Sequence, residues 1–132
     1  MWWQRGHWEA IYLDSNSPGA TFEFVEMRYA GNAFNPGNSG ALVPALQMRN
    51  KANVALTDVA VKESDSTAIS IEDNSPVLTR VSVEGANGLA FSVALAATPT
   101  LSQLSATGTA TNAYVLGGGT ISDNRTWDFG GL

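Results

Sequence analysis

An alanine followed by two alternate apolar residues returns five times along this chain. The stretches are Ala10-Ile11-Tyr12-Leu13, Ala45-Leu46-Gln47-Met48, Ala68-Ile69-Ser70-Ile71, Ala90-Phe91-Ser92-Val93 and Ala113-Tyr114-Val115-Leu116. The first interval is 35 residues and the next three are 23, 22 and 23. A second motif, apolar-x-x-apolar-x-apolar, follows at a similar offset. It reads Phe22…Val25…Met27, Leu56…Val59…Val61, Leu78…Val81…Val83 and Leu101…Leu104…Ala106, with Trp127 and Phe129 at the corresponding place in the last unit. Self-similarity at a fixed short period restricts the chain to architectures in which each unit buries its apolar side against its neighbours.

A unit of 22–23 residues is too short for paired helices, and its local period of two is a strand signal. Asn16-Ser17-Pro18, Asn74-Ser75-Pro76 and Ala97-Thr98-Pro99 separate the two motifs. Proline fixes φ and lacks an N–H, so it belongs at a corner and not in a central ladder. Each unit therefore reads as one coil of an all-β solenoid, with equivalent strands pairing in parallel about 4.8 Å apart and five coils spanning roughly 24 Å.

Stacking predicts inward columns. One holds Ile11, Leu46, Ile69, Phe91 and Tyr114, and its neighbour Leu13, Met48, Ile71, Val93 and Leu116. The second face contributes Val25, Val59, Val81, Leu104 and Trp127, then Met27, Val61, Val83, Ala106 and Phe129. The whole of 1–132 is expected to be one domain, with an aromatic N-terminal cap over 1–9, an inserted loop over 32–44 and a terminal coil or tail over 127–132. The insertion, NAFNPGNSGALVP, accounts for the long first interval and carries the aromatic Phe34. Insertions on solenoids map to loops on one side, which are often binding faces and otherwise tolerated surface excursions.

The formal charge of −5 disfavours nucleic acid, whose phosphates would be repelled, and an anionic membrane surface. No segment has the length and apolarity of a membrane span. Cysteine is absent, which excludes disulfides, thiolate metal sites and a cysteine nucleophile. The opening MWWQRGHWEA lacks the apolar run of a signal peptide, so an export signal would lie outside this chain.

Trp8-Glu9-Ala10-Ile11 and Met27-Arg28-Tyr29-Ala30-Gly31 resemble the start and end of the opening coil in right-handed parallel β-helix regions of secreted and cell-surface repeat proteins, of the pectate-lyase-like superfamily. Asn124-Arg125-Thr126-Trp127 resembles the segment that opens the next module in such proteins. The resemblance implies a right-handed parallel β-helix of about five coils, an extracellular or cell-surface setting, and a slice of a longer solenoid. It carries no activity, because this fold hosts lyases, hydrolases, adhesins and inert spacers alike.

Chemistry is correspondingly hard to place. Pectate-lyase-type sites resemble acidic calcium ligands beside a basic residue, and the local candidate is the outward column Asp14, Arg49, Glu72. Alternating signs on stacked strands are adequately explained as a charge ladder, as they are for Arg28, Lys62 and Glu84. The aspartates Asp14, Asp58, Asp65, Asp73, Asp123 and Asp128 fall at different offsets, with no matched pair at glycosidase spacing. His7 is the single histidine, in the terminal segment beside tryptophans, where a metal site would need partners the sequence does not offer. The closing glycines precede no Lys-Ser/Thr pair, as a phosphate loop would require. No catalytic, cofactor or metal residue is assigned, and an enzyme is the minority reading.

The ends are more informative, because a parallel solenoid has unpaired strand edges at its first and last coils. Trp2, Trp3 and Trp8 can plug the first, while the far end, with Trp127, Phe129 and Gly130-Gly131-Leu132, shows no evident cap. Either the terminal aromatics fold over the ends, or the last coil of one copy pairs with the first of another in a head-to-tail contact. The expected function is a non-catalytic extracellular structural solenoid: a scaffold, spacer or end-to-end self-assembling subunit with itself as partner. The alternative is a carbohydrate-binding or polysaccharide-cleaving module with a polysaccharide partner. Trp2, Trp3, Trp8, Tyr12, Tyr29, Phe34, Trp127 and Phe129 form the candidate binding or assembly surface.

Overall fold

The computed structural model describes residues 4–17, 19–32, 42–50 and 53–132. Among these, every regular element is a strand: β1 (Ile11–Leu13), β2 (Ala20–Glu23), β3 (Glu26–Arg28), β4 (Leu46–Met48), β5 (Val54–Lys62), β6 (Ile69–Ile71), β7 (Val77–Glu84), β8 (Leu89–Val93), β9 (Thr100–Ser102), β10 (Ser105–Thr107) and β11 (Thr111–Leu116). The chain alternates between two sheets. One has the order β1-β4-β6-β8-β11; the other runs β10-β7-β5-β2, with β3 also on β5 and β9 also on β7. All pairings of named strands are parallel. Spatial order follows chain order, so the first and last strands lie at opposite edges.

The predicted columns are register partners. Ile11 pairs with Leu46, Leu46 with Ile69, Ile69 with Phe91 and Phe91 with Tyr114. In the second sheet Met27 pairs with Val61, Val61 with Val83 and Val83 with Ala106. These side chains meet between the sheets in one hydrophobic core. Leu46, Met48, Leu56, Ile69, Ile71, Leu78, Val81 and Phe91 are completely buried, and each such side chain contributes about 1.5–3 kcal/mol. Burial fades toward the edges, where Ile11, Phe22, Val25, Ala106, Tyr114 and Leu116 are only partly covered. An edge strand has a neighbour on one side only.

The apolar-x-x-apolar spacing has a backbone cause. Phe24, Asp58, Arg80 and Gln103 have φ of 56, 53, 51 and 55°. Each lies one position past the register-matched Glu23, Thr57, Thr79 and Ser102. A left-handed residue turns the chain so that the apolar residues on both sides of the x-x pair face inward, which strict alternation would forbid. A second corner repeats at Tyr29, Glu63, Gly85 and Gly108, with φ of 62, 54, 69 and 61°. Glycine takes this conformation freely, whereas other residues pay about 1–2 kcal/mol. The proline turns also stack: Thr98 N–H donates to Asn74 O at 3.1 Å, Thr100 N–H to Pro76 O at 2.9 Å, and the hydroxyls of Ser75 and Thr98 are hydrogen-bonded.

Two expectations meet a different outcome. Residues 117–132 contain no strand, so Trp127 and Phe129 do not extend the inward columns of the second sheet. Gly130, at φ 65°, instead sits against the last strands of that sheet, and a Cβ there would come within 3.1 Å of Leu101 and Leu104. The tail thus covers the far end that looked uncapped: Gly130 O accepts Leu104 N–H at 2.7 Å, and Phe129 packs on Tyr114 with ring centroids 5.2 Å apart. The insertion is pinned at its base, where Asn32 and Val43 form an antiparallel bridge with reciprocal 2.9 Å bonds.

Candidate functional site

The candidate aromatics do not converge on one surface. Trp2, Trp3 and Phe34 lie outside the described residues. Trp8 is half-buried against the core, and its indole N–H donates to Arg28 O at 2.7 Å. Tyr29 follows β3 in the left-handed corner, and its carbonyl accepts His7 N–H at 2.9 Å. These two sit at the first-strand edge. Tyr12 lies on the outward side of β1, 39% exposed, with the Arg49 guanidinium carbon 5.3 Å from its ring centroid. Trp127 and Phe129 belong to the opposite edge, about four strand spacings or roughly 19 Å away.

Outward charges pair along the sheets. Lys62 bridges Glu26 at 3.0 Å and Glu84 at 3.4 Å, and Glu26 also binds Arg28. Arg80 grips Asp58 through Nε at 2.7 Å and a second nitrogen at 2.8 Å. Hydrogen bonds from Arg28 and then Lys62 hold the Glu26 carboxyl below its ordinary range, and Arg80 does the same for Asp58. The Asp14, Arg49, Glu72 column behaves differently from a simple ladder: Arg49 lies over Tyr12, and Glu72 accepts a 2.9 Å bond from Gln47. Among the described residues no group of three His, Cys, Asp or Glu side chains could hold a metal ion. Among the described residues there is no helix long and apolar enough to cross a membrane.

One concavity stands out, at the far edge. A cavity of about 170 Å³ is lined by Thr98, Leu101, Tyr114, Arg125, Trp127 and Asp128, among others. Its position follows from the tail leaving β11 and returning across the corner between β8 and β9. Arg125 fastens that return: its guanidinium donates to Leu95 O at 2.6 Å, to Ala97 O at 3.1 Å and to Asp123 at 3.0 Å. Asp128 accepts Gly130 N–H at 2.9 Å. The Tyr114 hydroxyl is buried with no hydrogen-bond partner, and burial pushes its pKa up to about 12.

Sequence reasoning singled out Trp127 but placed Tyr114 only in the core column. It also missed Phe24, a left-handed residue 82% exposed at the first-strand edge. Its alignment with Asp58, Arg80 and Gln103 in the second motif was the signal available. Comparisons with protein families, curated proteins and solved structures return no match for this chain.

Proposed function

We propose that the chain is a right-handed parallel β-solenoid of about five coils with a non-catalytic, structural role as an extracellular spacer or scaffold. The observation that carries this reading is the repetition of corner and column together. Register partners 22 or 23 residues apart recur through the interior of both sheets, and in the second sheet Phe24, Asp58, Arg80 and Gln103 repeat one left-handed corner. In such a design length is set by the number of coils, and most apolar side chains serve stacking. The handedness and extracellular setting rest on the resemblance of Trp8–Ile11 and Met27–Gly31 to secreted β-helix regions.

Self-assembly through the first-strand edge is part of the same proposal. Among the described residues β1 pairs only with β4, and Phe24 projects beside β2 and β3.

Deletion of the 22 residues 68–89 tests the solenoid directly, because it removes β6 and β7 and leaves Ala90 in the place of Ala68. A solenoid closes up, retains its far-UV strand signal and cooperative unfolding, and shortens by about 4.8 Å in small-angle scattering. Loss of cooperative structure on deletion refutes the modular reading. Light-scattering mass over a hundredfold concentration range tests assembly; a constant monomer mass refutes it.

A further inference from the structure

We infer that the cavity beneath the C-terminal tail is a binding site for a single neutral sugar ring, a use separate from the structural role proposed above. The lining decides the ligand class. Trp127 and Tyr114 supply two aromatic surfaces in one small space, and Leu101 adds an apolar wall. Flat aromatic and apolar surfaces suit the C–H faces of a pyranose.

Charge argues against an anion. Arg125 is the cation of the lining, and its guanidinium is already engaged by two carbonyls and Asp123. A free anion finds no uncommitted counter-charge, and among the described residues no group of three His, Cys, Asp or Glu side chains could hold a metal ion. A hydroxylated neutral molecule does find partners. The Tyr114 hydroxyl is buried and unpartnered, and a buried polar group without a partner costs about 1–3 kcal/mol. Asp128 uses one oxygen for Gly130 and keeps the other without a partner among the described residues. A sugar hydroxyl can accept from the first and donate to the second.

Size agrees. A cavity of about 170 Å³ holds one ring and not an extended chain, so the site takes a terminal residue or a monosaccharide.

The experiment uses the full chain and methyl glycosides of glucose, galactose, mannose and N-acetylglucosamine, each titrated to tens of millimolar. Binding is followed by NMR at the Trp127 indole, and Trp127→Phe identifies its resonance. At least one glycoside is expected to give a saturable shift there. Tyr114→Phe should weaken that binding by about 2–10-fold, the loss of one net hydrogen bond. Asp128→Asn supplies a second variant, away from the core, that should also weaken binding. Near-UV circular dichroism checks that each variant is folded. Absence of a saturable shift with all four glycosides overturns the inference, as does binding that shifts Tyr12 but leaves Trp127 untouched. Unchanged affinity in both folded variants overturns it too.

Discussion

Gln103→Gly should stabilise this protein, although glycine normally weakens a β-structure. Gln103 joins β9 to β10 with φ at 55° and its side chain exposed. The left-handed conformation costs a residue with a Cβ about 1–2 kcal/mol. Glycine avoids that cost but loses about 0.5–1 kcal/mol more backbone entropy on folding. The difference is a net gain of about 0.5–1 kcal/mol, equivalent to a rise of about 2–4 °C in Tm for a chain of this size. Ser105→Gly, two residues on but within β10, is the control and should destabilise by about 0.5–1 kcal/mol. The same exchange at Arg80 gains less, because the two hydrogen bonds to Asp58 are lost. Equilibrium denaturation and calorimetry of the two variants give the comparison. If Gln103→Gly destabilises as much as Ser105→Gly, the left-handed corner is not the source of the apolar-x-x-apolar spacing.

Ile69→Ala, at a fully buried central position, should cost about 2–5 kcal/mol in denaturant unfolding, and Ile11→Ala at the partly covered edge of the same column clearly less. Glu26 and Asp58 have depressed carboxyl pKa values in the folded state. They stabilise above the ordinary carboxylate range, and that contribution is lost as pH falls through their folded values. Tm measured from pH 7 downward should therefore drop below about pH 4, and the Glu26→Gln/Asp58→Asn double variant should show a shallower drop. For Tyr114 the pKa is raised, so the protonated form is favoured on folding and stability is lost between about pH 10 and about pH 12. Ultraviolet titration should show one tyrosine ionising near the upper value, and Tyr114→Phe should remove that step.

The inward columns could be read from the chain because their cause is local and repeated. Alternation fixes which face a strand residue occupies, and an interval of 22 or 23 residues fixes which residues lie side by side. Ile69 and Phe91 have the same neighbours whether one reads the sequence or the sheet. The corners were legible as a spacing but not as a conformation, since Phe24, Asp58, Arg80 and Gln103 share no side-chain chemistry. Only their common place in the stack shows that the backbone turns there.

The tail follows no repeat, so its course is not legible in the sequence. Trp127 and Phe129 match the second motif in residue type, but the tail is not paired as a strand, and among the described residues one backbone bond, from Leu104 to Gly130, anchors it there. The cavity depends on Arg125 reaching carbonyls 28 and 30 residues away in the chain. Periodicity carries no information about such a contact. The sequence determined which residues stack and in what register, because burial repeats with the chain. Only the tertiary structure decided how the stack ends, because there each contact is made once, between groups that no pattern in the sequence relates.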